Sequence, residues 1–177
     1  MARVTLALVR PAVELYDAWL EAHVEWGPGV HEDGFGIGPD DEVGSVEGFA
    51  AWVARVNGAA DRSTCRWIVE DGRVQGGIAL RHQLNERTGH IGYGVRPSAR
   101  GRGLATWALT RMLREAGELG IGRVLIVCAD VNVASAKAIE RCGGVLEEIR
   151  STEHGAVRRY WVSVGQERSA GRRGADS

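Results

Sequence analysis

Residues 90–106, read in order as HIGYGVRPSARGRGLAT, constrain the fold more than any other stretch of the chain. His90–Arg96 alternates Gly92 and Gly94 with Ile91, Tyr93 and Val95, the period of a strand. Small residues on one face of a strand let another group approach the backbone closely. Gly103–Leu119 has the period of a helix, with Leu104, Ala108, Leu109, Met112, Leu113 and Ala116 as its apolar stripe. Arg111, Arg114, Glu115 and Glu118 lie opposite. With helices and strands alternating along the rest of the chain, this junction implies an α/β protein. The turn displays free backbone N–H groups at the positive end of the helix dipole, and its glycines leave room for a ligand. Arg96, Arg100 and Arg102 add full charges, so the segment is a candidate pyrophosphate cradle. It is not a dinucleotide-binding turn, which would place a third glycine where Thr106 stands, inside a parallel βαβ unit.

The remaining elements fit around this junction. VTLALV at 4–9 reads as a strand, Val13–Trp26 as a helix, and Val46–Asn57 as a second helix. Residues 27–45 between the helices are Gly- and acid-rich and read as a long loop, a candidate lid. Arg66–Glu70 and Val74–His82 read as a hairpin around Asp71-Gly72. Arg123–Ala129 is a buried strand, Ala134–Cys142 a short helix, and Val145–Ser151 with Val157–Val164 a last hairpin. The expected architecture is a single domain over 1–164 with a mixed, mostly antiparallel sheet flanked by helices. Residues 165–177 form a polar tail. Trp107 falls on the polar side of its helix, which fits either a homodimer interface or plain exposure.

Composition removes several function classes. The chain has 177 residues, and no apolar run approaches the roughly 18 that a membrane span needs. Its first residues are too short an apolar stretch for a secretory signal, so a cytoplasmic location is expected. Three cysteines without C-x-x-C spacing argue against a disulfide scaffold, and no metal site is expected. Lys137 is the only lysine and there is no G-x-x-x-x-G-K-[ST], which excludes a P-loop. Basic residues cluster only in the cradle and the tail, which disfavours nucleic-acid binding. Charge is divided unevenly: residues 1–95 hold 8 basic and 14 acidic groups, residues 96–177 hold 14 and 9. The first half is thus a candidate host for a cation, the second for an anion.

Arg100-x-x-Gly103-x-Ala105 resembles the R/Q-x-x-G-x-G/A motif of the GNAT N-acetyltransferases. It follows a strand ending in V-R-P. After the next strand, Asn132-x-x-Ser135 and Gly143-Gly144 resemble the family's helix beside the CoA arm. The similarity spans roughly 66–164 and points to a bacterial small-molecule subgroup. It implies a GNAT fold, with acetyl-CoA as donor. By the resemblance, backbone amides of Arg100, Gly101, Arg102, Gly103, Leu104 and Ala105 hold the pyrophosphate, helped by Arg96 and Thr106. Val95 pairs with the pantetheine arm, Asn132 and Ser135 face that arm, and Arg141 meets the 3′-phosphate. Many family members carry a tyrosine general acid seven residues after the asparagine, where this chain has Ile139.

A group with pKa near 7 is best placed to deprotonate an amine, so His82 and His90 are candidate bases, with Tyr93 as a further catalytic candidate. The resemblance makes 11–58 the acceptor side. Between Pro11 and Ala54 that side carries ten carboxylates and no Lys or Arg. Glu32, Asp33, Asp40 and Asp41, with Trp19 and Trp26, are the candidate acceptor-binding residues. They favour acetylation of a small cationic amine, such as an aminoglycoside-type antibiotic or a polyamine. The alternatives are a protein or peptide N-acetyltransferase and a non-catalytic acetyl-CoA-binding module.

Overall fold

Alternation along the strands and amphipathic helices place every element on one side or the other of a single sheet. The computed structural model describes residues 5–27 and 35–165. Its strands are β1 (Leu6–Val9), β2 (Ser63–Glu70), β3 (Arg73–Arg81), β4 (Ile91–Val95), β5 (Arg123–Ala129), β6 (Val145–Thr152) and β7 (Gly155–Ser163). They form a seven-stranded sheet in the order β1-β2-β3-β4-β5-β7-β6. All neighbours are antiparallel except β4 and β5, which are parallel. The helices are α1 (Tyr16–Trp26), α2 (Val46–Gly58), α3 (Leu104–Glu118) and α4 (Val133–Arg141).

Local chemistry explains the element ends. Asp71 (φ +49°) and Gly72 (φ +79°) make the tight β2–β3 turn, whose handedness matches strand twist. Ser45 caps α2 by accepting the Gly48 N–H. Asn132 caps α4 by accepting the Ser135 N–H. Strand β2 begins three residues earlier than the apolar run indicated, because Ser63–Cys65 pair with Ala79–Arg81.

The sheet has a core on each face. Ile68, Ile78, Leu80, Ile91 and Ile126 pack with Leu109 and Met112 of α3 and Ile139 of α4. Trp67 and Val69, which alternate with Ile68, and Val74, turned to the same face by the bulge opposite Ile68/Val69, pack with Trp19 of α1 and Phe49, Trp52 and Val53 of α2. Trp19 is wholly buried, 4.9 Å from Trp52 and 5.2 Å from Phe49 between ring centroids. That placement corrects its expected role: it is the keystone of the aromatic core and is closed to a ligand. Trp107 packs against the other core while Arg111 stacks over its ring at 4.0 Å. The stack accounts for an indole on the polar side of α3 within one chain.

Candidate active site

β4 and β5 are paired only where Ile91 meets Ile126, and beyond that point they part. The Arg96 N–H donates to Gln75 O on β3 at 2.8 Å. By alternation, the N–H groups of Tyr93 and Val95 turn the other way, into the gap toward β5. Gly76 fixes the back of this strand. A methyl added there would lie 2.1 Å from Gly94 O, so β3 and β4 approach as only glycine permits.

The gap opens into a cavity of about 660 Å³. Its walls bring together Tyr93, Gly94 and Val95 of β4, the turn and first helical residues Arg100, Gly101, Gly103, Leu104, Ala105 and Thr106, and one face of α4. Gly101 and Gly103 have φ of +75° and +77°, and nothing lies within 4 Å of where their side chains would begin. Gly103 is also the N-cap of α3. The helix thus starts with its free N–H groups facing open space, the arrangement an anion needs. Arg100 leans on Val95 O through its Nε at 3.0 Å. From α4 the cavity receives Asn132, Ser135 and Arg141, and also Lys137, which is not among the residues expected from the sequence. Ala134, Ala138 and Arg141 share a helical face with Lys137, so the spacing carried that signal. The residues present fit the diphosphate and pantetheine of acetyl-CoA.

Several residues expected in the site lie elsewhere. Arg96 is 3% exposed and turned away from the cradle. It is held by Glu21 Oε1 at 2.9 Å, by Glu25, and by Val74 O at 3.3 Å. A buried guanidinium so paired cannot also neutralise a phosphate. Arg102 pairs with Glu70 at 2.6 Å and does not line the cavity.

The two histidines stand outside the cavity wall. In His82, Nδ1 donates to Asp61 O at 3.0 Å and Nε2 lies 2.9 Å from Thr64 Oγ1. It stands beyond Leu80, which pairs with Ile91, at the closed end of β4. His90 is buried, and its Nδ1 accepts the Leu125 N–H at 2.9 Å. Burial lowers its pKa and keeps the ring neutral. Neither histidine lines the cavity.

The proton-bearing group in the cavity is a pair. The Tyr93 hydroxyl lies 2.7 Å from Ser135 Oγ and 3.3 Å from Ser135 O. Burial pushes the Tyr93 hydroxyl up to about 12, against the smaller opposing effect of its bond to Ser135. It is therefore a neutral donor throughout the working pH range. Ile139 has no exposure and belongs to the core, so α4 presents no acid at that turn. Tyr93, reaching from β4, and Ser135 supply hydroxyls instead.

On the acceptor side Trp26 lines the same cavity as Tyr93 and meets Phe35 edge-on at 5.4 Å. Asp40 is exposed and outside the cavity wall. Asp41 accepts from Gly38 N at 2.6 Å and from Arg55 Nε at 3.0 Å, so it fastens the loop to α2. Burial raises its pKa, but Arg55 and the Gly38 N–H outweigh that and hold it low. Glu32 and Asp33 lie outside the described residues.

Comparison with known proteins agrees with this geometry. Among curated proteins none matches the sequence. The solved structure of an acetyltransferase from Salmonella typhimurium that modifies the N-terminal serine of ribosomal protein L7/L12 aligns with TM-score 0.70 and 17% identity. The alignment covers 92% of this chain and 100% of that one. A RimL ribosomal L7/L12 α-N-protein acetyltransferase in complex with coenzyme A aligns at TM-score 0.71 and 18% identity, over 92% and 96%. The microcin C7 self-immunity acetyltransferase MccE, in complex with acetyl-CoA and AMP, gives 0.67 and 17%, over 90% and 92%. At such identities these likenesses concern the fold. The family model for the acetyltransferase (GNAT) domain matches residues 6–145, which take in both acceptor-side helices, the cradle and α4. The chain belongs to the GNAT family of acetyl-CoA-dependent N-acetyltransferases.

Proposed function

We propose that this enzyme acetylates a single primary amine, carried on a peptide or amino-acid-like body, that enters between Trp26 and Tyr93. The observation that carries this reading is the pairing of the acceptor-side acids. Glu21 and Glu25 are taken by Arg96 and Arg73, and Asp41 by Arg55. Carboxylates already neutralised within the chain do not focus a polycation. What faces the cavity from α1 is an indole.

Acetyl-CoA supplies the activated acetyl group. The N–H groups of Gly101, Gly103 and the first turn of α3 bind its diphosphate, and Arg100, Lys137 and Arg141 supply positive charge around it. The N–H groups of Tyr93 and Val95, facing the gap, hold the carbonyl oxygen and favour the charge that grows there. The Tyr93–Ser135 hydroxyl pair gives a proton to the leaving thiolate and regains one from solvent. Among the described residues no carboxylate and no histidine lines the cavity, so the proton of the incoming amine leaves through solvent.

A second reading, acetylation of a small polyamine or aminosugar, is favoured by the exposed acidic residues Glu14, Asp17, Asp40 and Glu47. The test is CoA release with mass detection of product. The panel sets peptides with a free α-amine and a Lys peptide against free amino acids, spermidine and aminoglycosides. Turnover of α-amine substrates is expected. Turnover of aminoglycosides alone overturns the peptide reading.

A further inference from the structure

The last turn of α1 is fastened to the root of the cradle by one side chain. Glu25 Oε1 accepts the Ser98 N–H at 2.6 Å, and Oε2 accepts the Ser98 hydroxyl at 3.0 Å. The same carboxylate pairs with the guanidinium of Arg96. Arg96 directly follows β4, and Ser98 sits in the 3-10 turn Pro97–Ala99 that leads into Arg100–Gly103. The next residue after Glu25 is Trp26, which lines the cavity. The helix then stops, because Gly27 takes φ +87°. Glu21, one turn earlier, also binds Arg96, but it makes no bond to Ser98 and is shared with Arg73.

We propose that Glu25 is a positioning residue that couples the donor cradle to the acceptor wall. A donor held in the cradle orders the Arg96–Ser98 turn. Through Glu25 that order fixes the end of α1, and with it Trp26, at the point of transfer. Coupling of this kind is reciprocal, so loosening the helix also weakens the donor. The inference rests on the reading of the cradle as the acetyl-CoA site.

Amide hydrogen exchange with and without acetyl-CoA tests it in the full chain. In the unaltered protein, acetyl-CoA is expected to slow exchange at the start of α3 and, about 5-fold or more, in the last turn of α1. In Glu25→Ala the α3 protection remains and the α1 protection is lost, with acetyl-CoA affinity about 5-fold weaker. Glu25→Gln keeps an oxygen for the Ser98 N–H and recovers part of both effects, and it serves as the readout if the alanine variant does not fold. Glu21→Gln keeps both protections, although it too removes a carboxylate charge from beside Arg96.

Equal loss in Glu21→Gln and Glu25→Ala overturns the proposal in favour of general loosening. Unchanged α1 protection in both Glu25 variants overturns it outright. Protection of α3 without α1 in the unaltered protein overturns it while leaving the donor site intact. Protection of neither overturns the donor site itself.

Discussion

The donor and acceptor sides of the cavity are built by different means. The donor side is made largely of backbone: a strand edge, two glycines at positive φ and the start of a helix. Its parts are contiguous in sequence, from Tyr93 to Thr106, with α4 added. The acceptor side is made of side chains joined across long separations. Arg96 meets Glu25 and Glu21 from 71 and 75 residues away. Backbone amides cannot be mutated away, whereas ion pairs and aromatic contacts can. Substitutions on the donor side should therefore change catalysis with modest effects on folding. Substitutions on the acceptor side should change folding first.

The largest effect expected is on the acceptor side. Trp19→Ala empties the centre of the aromatic core and should cost about 3–5 kcal/mol, read by urea unfolding. On the donor side, Tyr93→Phe and Ser135→Ala should each lower kcat about 100-fold with acetyl-CoA affinity little changed. Gly103→Val forces a β-branched residue to φ +77° and puts methyls in the cradle. It should cost about 1–3 kcal/mol and weaken acetyl-CoA binding by more than that loss explains, read by titration beside unfolding.

Much of this was open to reading before the structure. The cradle was legible because its signal is local: glycine, arginine and helix period within one short run. β5 was legible for the same reason, as Arg123–Ala129 is a continuous apolar run. The acidic stretch was misleading because composition reports charge and says nothing of its partners. Glu21 and Glu25 find their arginines only after the sheet brings α1, β3 and the end of β4 together, and Asp41 finds Arg55 only when its loop folds back on α2. Arg96 looked like a phosphate ligand because it stands beside Arg100. The strand's alternation sends it to the opposite side, toward Val74 and α1. The histidines failed similarly, since nothing in sequence reveals that Asp61, Thr64 and Leu125 use their ring nitrogens.

Two smaller effects complete the contrast. His90 has a lowered pKa in the fold, so the unfolded chain binds its proton first as pH falls below about 6.5. Stability should therefore be full above that pH and decline below it, and His90→Gln should flatten the decline in urea titrations between pH 5 and 8. The smallest effect is expected from Asp41→Asn. Its pair with Arg55 lies at the surface, where such bridges contribute about 0–1 kcal/mol. The melting temperature should move by only a few degrees, with acetyl-CoA affinity unaltered.

The close approach at Gly76 has a consequence on the far side of β4. Because no side chain stands between β3 and Gly94, β4 can lie back and leave the slot beside β5 open. The slot's width is thus set from behind, by an atom that is missing. Gly76→Ala would press Gly94 and Val95 toward β5 and narrow the passage, although residue 76 is not itself part of the wall. A catalogue of the cavity's walls would miss the position that governs its gauge.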